Sequence, residues 1–214
     1  MGNFFNSDNK IFQGLGQVTD LVLVNFLFVV CCIPVFTIGA SWTALYTVTI
    51  KMVRDEDSGI VKQFFKAFKD NFKQATIIWL LFLVVGIGLV SYFLMFGRIT
   101  GLVGVLIKGV LFLLALIYAM VLTFVFPVLS RFENKIKATI KNSFIIAVSN
   151  LPWTILSILI MAIPITITII RPLYVMYGFL WVLIIFALYA FLSSIIFNRI
   201  FKKYMPPEPE RYKD

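Results

Sequence analysis

The reading turns on residues 21–50, LVLVNFLFVVCCIPVFTIGASWTALYTVTI, which hold no charged side chain. One straight helix of that length would reach about 45 Å at 1.5 Å per residue, well beyond the roughly 30 Å hydrocarbon core of a bilayer. Pro34 stands near the middle of the run. Proline lacks an N–H and its ring collides with the preceding turn, so the sequence predicts a kink or break between Cys32 and Gly39. The pieces on either side, about 13 and 16 residues, are each short for a crossing. The region therefore reads as one first span, either a bent helix or a span with a partly re-entrant half.

Working outward, further charge-free stretches cover residues 75–97, 109–130, 144–170 and 172–198. Each is long enough to cross a bilayer. The expectation is an all-α, polytopic transmembrane helix bundle with five spans, the first broken near Pro34, forming a single integral membrane domain over residues 1–214. Composition agrees: the chain is 61% hydrophobic and 14% charged, against about 45–50% and 25% in soluble domains. A soluble fold of 150 residues still exposes about a third of its unfolded surface, which excludes a soluble enzyme of this composition. Abundant Phe, Leu, Ile and Val exclude a disordered chain. A cleaved signal peptide is not expected, because the apolar run starts only at Leu21, lacks a basic lead and is too long.

Lysine and arginine set the orientation, since they accumulate on the cytoplasmic side of a membrane. Residues 51–74, 131–141 and 199–214 carry six, four and five of them, against one, two and one in the other three segments. Five spans alternate these sets between the two faces. The expectation is a plasma-membrane protein with its N-terminus outside and its C-terminus cytoplasmic.

The first basic segment is amphipathic. After Ser58, in N-cap position, Ile60, Val61, Phe64, Phe65, Phe68 and Phe72 fall within an arc of about 140° at 100° per residue. Lys62, Lys66, Lys69 and Lys73 gather on the other side. Residues 60–73 therefore read as a cytoplasmic interfacial helix, its rings in acyl chains and its ammonium groups at anionic headgroups. Two roles fit it: an anchor to lipid, or a docking surface for a partner through Phe64, Lys66, Phe68, Asn71 and Lys73. The second basic segment, Arg131 to Asn142, is patterned more roughly, with Phe132, Ile136 and Ile140 four apart.

The chemistry on offer is sparse. There is no histidine, the commonest general base and metal ligand. Cys31 and Cys32 are adjacent and lack both disulfide and metal-ligand spacing. No Asp, Glu, Lys or Arg falls in mid-span, whereas ion-coupled transporters keep an ionisable group at membrane depth. No paired Ser/His, aspartate dyad or metal triad can be assembled, and no Walker-type glycine loop exists. The basic segments are accounted for by the flanking spans without invoking nucleic acid. The expectation is no catalytic, cofactor-binding or metal-binding residues, and no enzyme. The broken region offers the richest polar surface: Pro34, Thr37 and Gly39 would shape a site at the break, either packing within the bundle or lining for a ligand. Asn25, Asn150 and Asn198 are candidates for hydrogen bonds between helices.

Several of these residues also carry a resemblance. Cys32-Ile33-Pro34-Val35-Phe36-Thr37-Ile38-Gly39-Ala40, then Ala44-Leu45-Tyr46, and Phe64-Phe65-Lys66-Ala67-Phe68-Lys69-Asp70-Asn71-Phe72-Lys73-Gln74-Ala75 resemble the YesL-like family of bacterial integral membrane proteins. Phe126-Pro127, Arg131-Phe132-Glu133-Asn134, Lys141-Asn142 and Asn150-Leu151-Pro152 are similar to its later half. The resemblance implies a multi-span protein without an established activity, associated with uptake or breakdown of complex carbohydrates beside transporter subunits. It brings no catalytic residues. The functional expectation is a non-catalytic accessory or permease-like component of carbohydrate uptake, in contact with the lipid bilayer and with transporter subunits. The alternative is a structural or regulatory membrane protein that acts through lipid or partner binding. Neither ligand nor oligomeric state is legible.

Overall fold

The computed structural model describes residues 10–56, 59–170 and 178–205. Ser58, the expected N-cap, and Pro172, the expected start of the fifth span, lie outside the described residues. Those described are helical or in short turns, with no strand among them. Helix α1 is Lys10–Cys32, followed by a 3-10 turn at Val35–Thr37 and α2 at Ile38–Val53. Then come α3 (Ile60–Phe96), α4 (Gly101–Arg131), α5 (Ile136–Ser149) and α6 (Leu151–Ile170). Helix α7, Gly178–Phe201, contains a π-helical turn at Trp181–Ile185. Five helices are long and apolar enough to cross a membrane: α1 over Leu15–Cys32, α3, α4, α6 over Leu151–Thr168, and α7.

The break at Pro34 reverses the chain. The rings of Phe28 and Trp42 meet at 4.8 Å across it, whereas the same 14-residue separation along one helix would be about 21 Å. Farther down, Asp20 and Leu23 of α1 share a crevice with Gly59, Ile60, Val61 and Lys62, just beyond the end of α2. Helices α1 and α2 are therefore an antiparallel hairpin, and the bent-helix alternative for the first region does not hold. Both ends of the hairpin lie at one end of the bundle.

The hairpin stops partway along its neighbour. Trp79 Nε1 donates to the carbonyl of Val35 at 2.8 Å, and α3 continues to Phe96, 17 residues or about 25 Å farther on. The tip carries Ile33, Val35 and Phe36 at 76%, 56% and 51% exposure. An apolar tip of this kind suits hydrocarbon rather than water. Its backbone is served locally: the Thr37 hydroxyl reaches the carbonyls of Cys31 and Pro34, and the Thr37 N–H donates to Pro34. This is what irregular backbone requires at membrane depth.

Helix α2 is the hub, with eleven of its 16 residues buried. At about 24 Å it is too short for a full crossing, and its walls are α1, α3, α4 and α7. Gly39 explains how closely α3 approaches: a Cβ there would sit 2.5 Å from the Ala75 carbonyl oxygen and 2.6 Å from Trp79 Cβ. On the other side, Thr49 Oγ1 and Ser194 Oγ hydrogen-bond at 2.8 Å, joining α2 to α7.

Two expected boundaries are corrected. Residues 60–73 are not a separate interfacial helix but the first turns of the 37-residue α3, because no glycine or proline between Lys73 and the apolar run interrupts the backbone ladder. Their apolar arc is divided: Ile60, Gln63, Phe64 and Ala67 are buried in the bundle, while Val61, Phe65 and Phe72 face outward. Conversely, the expected span 144–170 is two helices. The chain turns at Asn150 (φ −129, ψ 43) just before Leu151-Pro152. The Asn150 side chain donates to Ile146 O at 2.9 Å, and Thr154 Oγ1 donates to Ala147 O at 2.8 Å, occupying carbonyls at the α5 terminus. The free-standing short helix at the basic end is thus α5.

The remaining helices alternate in direction. Tyr118 OH donates to Phe82 O at 3.1 Å between α3 and α4. Trp181 Nε1 donates to Thr168 Oγ1 at 3.0 Å at one end of the α6–α7 pair, and Asn150 Nδ2 to Tyr204 OH at 3.3 Å at the other. The α2–α3 corner, the α4–α5 corner and the end of α7 therefore share one end of the bundle, where the basic segments collect.

Candidate functional site

The reversal at Pro34 brings the first turns of α2 against α3 and α7, and aromatic residues fill that level. Trp42 lies beside Tyr46 (5.7 Å, 27° between planes) and edge-on to Tyr189 of α7 (5.9 Å, 90°). Phe28 and Phe186 pack behind it, their centroids 5.1 Å apart. Offset and edge-to-face arrangements match the ring quadrupoles and hold such a cluster in register.

In front of the cluster is a cavity of about 400 Å³, within the usual range of small-molecule sites. Trp42, Tyr46, Trp79 and Tyr189 form its floor. Ala119, Leu122, Thr123 and Phe126 of α4 form one wall, and Ile158, Met161, Ala162 and Ile165 of α6 the other. No charged residue lines it. Thr123 Oγ1 donates back to Ala119 O at 2.8 Å, and Trp79 Nε1 is held by Val35 O. The phenols of Tyr46 and Tyr189 lie side by side. This lining receives apolar matter. It offers neither an acid–base couple nor a metal site, and no group of three His, Cys, Asp or Glu residues suited to a metal occurs among the described residues.

A second feature holds the floor in place. The fully buried Asn25 of α1 donates through Nδ2 to the carbonyls of Trp181 (3.0 Å) and Val182 (2.7 Å), and its Oδ1 accepts from the Ala187 N–H (2.8 Å). Trp181 and Val182 open the π-helical turn and Ala187 lies just beyond it, where the regular backbone ladder is interrupted. Asn25 therefore fixes the register in which α7 presents Phe186 and Tyr189 to Trp42.

The sequence-expected sites have different fates. At the break, Thr37 is buried and closes the hairpin turn, Gly39 is the close-approach point with α3, and Pro34 is exposed at the tip. None of the three lines the cavity. On α3, Phe64 is 0% exposed and is not available to a partner or to lipid. Phe68 is half-buried, and Asn71 Nδ2 donates to Ala67 O at 3.0 Å within the helix. Lys66 and Lys73 are exposed, as are Lys62 and Lys69. Gln74 ties this part of α3 to the α4–α5 corner, its Nε2 donating to Asn134 O at 2.6 Å. Arg54 pairs with Glu56 at 2.8 Å. Trp42, Trp79 and Tyr189 carried no separate signal among 23 Phe, 8 Tyr and 4 Trp. Of the three asparagines, Asn25 bonds from α1 to α7 and Asn150 reaches Tyr204 just beyond α7.

Residues 21–95 match a family model described as a protein of unknown function, DUF624. That stretch runs from the buried half of α1 through the hairpin turn and α2 almost to the end of α3, so it covers the hairpin together with the helix that packs along it. No curated protein and no solved structure matches the chain. Family model and helices agree on an integral membrane protein of unknown activity.

Proposed function

We propose that this chain is a YesL-like, non-catalytic component of bacterial carbohydrate uptake, seated in the plasma membrane and working beside transporter subunits. The observation that carries the reading is the collection of exposed cations at one end of the bundle. Lys62, Lys66, Lys69 and Lys73 of α3, Lys135, Lys137 and Lys141 around the start of α5, Arg199 in the last turn of α7 and Lys202 and Lys203 just after it all stand there. Such an end belongs in the cytoplasm by the distribution of positive charge, where it meets anionic lipid and soluble partners. Because the hairpin returns, the start of α1 lies at this same end. The proposal accordingly puts α1 and the end of α7 on the cytoplasmic side together, in place of an N-terminus outside. Only the segments at 98–108 and 171 then bear basic residues on the far side.

The cavity is a poor seat for a sugar, because its lining is mainly apolar and carries no charged residue. A free sugar, with a hydroxyl on nearly every carbon, would leave those hydroxyls without partners on such a lining. The sugar path therefore belongs to a partner, and this chain contributes an accessory surface. The test is a photo-crosslinking amino acid at residue 66, 69 or 137 of the full chain in its native host during growth on complex glycan. Mass spectrometry is expected to identify a transporter component, with recovery lowered when Lys62, Lys66 and Lys69 are changed to Gln. Crosslinks to lipid or to the chain itself, together with unchanged sugar uptake on deletion, would support the structural or regulatory role instead.

A further inference from the structure

We propose that the aromatic cavity holds one acyl chain of a membrane phospholipid, which enters sideways between α4 and α6. The cavity is only half enclosed, and its partly exposed lining residues Leu122 and Thr123 of α4 and Met161, Ala162 and Ile165 of α6 sit on two helices long and apolar enough to cross a membrane, which puts the mouth between them. Its rim continues into exposed Leu159, Ile163 and Ile165 on α6 and Leu116 and Ile117 on α4. The surface around the mouth is thus of the type that lipid solvates, and the nearest material able to fill the space is hydrocarbon.

The lining selects for that occupant. Indole and phenol rings from three different helices form the floor, while Ala119 and Ala162 leave the space between the walls unfilled. Water is a poor occupant, because a buried water needs two to four polar partners and the lining is mainly apolar, with the Thr123 hydroxyl donating to Ala119 O and the Trp79 indole N–H to Val35 O. A charged headgroup has no counter-ion among the lining residues, so the chain rather than the head occupies the cavity. The site also touches the hairpin: Trp42 and Tyr46 come from α2, and Trp79 both lines the cavity and holds the tip through Val35 O. An occupied cavity therefore braces the hairpin against α3. The inference requires membrane embedding only and stands apart from the uptake reading.

The test uses the full chain, purified in mild detergent and washed free of loosely held lipid. Native mass spectrometry is expected to retain one phospholipid per chain, and Ala162→Phe and Ala119→Phe, each placing a phenyl ring in the cavity from opposite walls, lower retention about tenfold or more because the ring takes the space the acyl chain needs. In nanodiscs made wholly of phospholipid brominated along its acyl chains, the native protein is expected to show stronger tryptophan quenching than either variant, because Trp42 and Trp79 line the cavity. The excess vanishes in both variants, leaving only quenching by lipid around the outside of the bundle. No retained phospholipid on the native chain would overturn the proposal whatever the variants do, and so would equal quenching in the native protein and both variants.

Discussion

Replacing Asn25 with leucine keeps most of the side-chain volume and removes three hydrogen bonds, those to Trp181 O, Val182 O and Ala187 N. Polar contacts between membrane helices contribute on average about 0.6 kcal/mol and at most about 1.7, so three give about 2–5 kcal/mol. The upper half of that range is expected, because Trp181 and Val182 belong to a π turn and Ala187 follows it closely, where the regular backbone ladder is interrupted. Asn25→Asp should be at least as damaging: its carboxylate can still accept from Ala187 but confronts two carbonyls with no donor. The assay is equilibrium unfolding in mixed micelles at rising dodecyl sulfate, followed by circular dichroism. A leucine variant within about 0.5 kcal/mol of the native protein, the range of an ordinary surface change, would refute the reasoning and mean that the π turn relaxes without its clamp.

Gly39→Ala should destabilise by about 1–3 kcal/mol through overpacking against Ala75 and Trp79, despite a helix-propensity gain of about 1 kcal/mol. Gly88→Ala, where an added Cβ meets nothing within 4 Å, should be neutral or stabilising in the same unfolding assay. Phe64→Ala should cost about 3–5 kcal/mol because the ring is completely buried. The neighbouring Phe65→Ala, at a ring 48% exposed, should leave unfolding nearly unchanged, whereas a true interfacial helix would make the two variants alike.

The membrane class was legible because it depends on composition and on charge-free run length, and α4 and α7 overlap the expected spans for that reason. The break at Pro34 was also legible, since the missing N–H is written in the residue. Its consequence was not. A proline can bend a helix or reverse the chain, and the decision here lies with Trp79, 44 residues beyond Val35, whose indole N–H donates to the Val35 carbonyl. The amphipathic arc of residues 60–73 had the correct period, yet periodicity names an apolar face without naming what covers it. Protein covers Phe64, and lipid or solvent meets Phe65. Gln74 and the residues after it contain no stop signal, so the join between the amphipathic turns and the second span was readable and was outweighed by the change in composition. The Asn150 turn shows the converse, where Asn-Leu-Pro marks a helix boundary that an apolar count passes over. The cavity was illegible: Trp42, Trp79, Ala162 and Tyr189 sit on four helices, and nothing local distinguishes them from other residues of their type.

Helices α1 and α2 form a hairpin that enters and leaves at the basic end of the bundle, and cysteine labelling tests this directly. With Cys31 and Cys32 changed to Ala, single cysteines at Gln17, Asp55, Thr100 and Lys202 can be labelled by a membrane-impermeant maleimide in intact cells and in inverted vesicles. Positions 17, 55 and 202 are expected to label only in inverted vesicles, and position 100 in intact cells. Labelling of position 17 on the face opposite position 55 would contradict it.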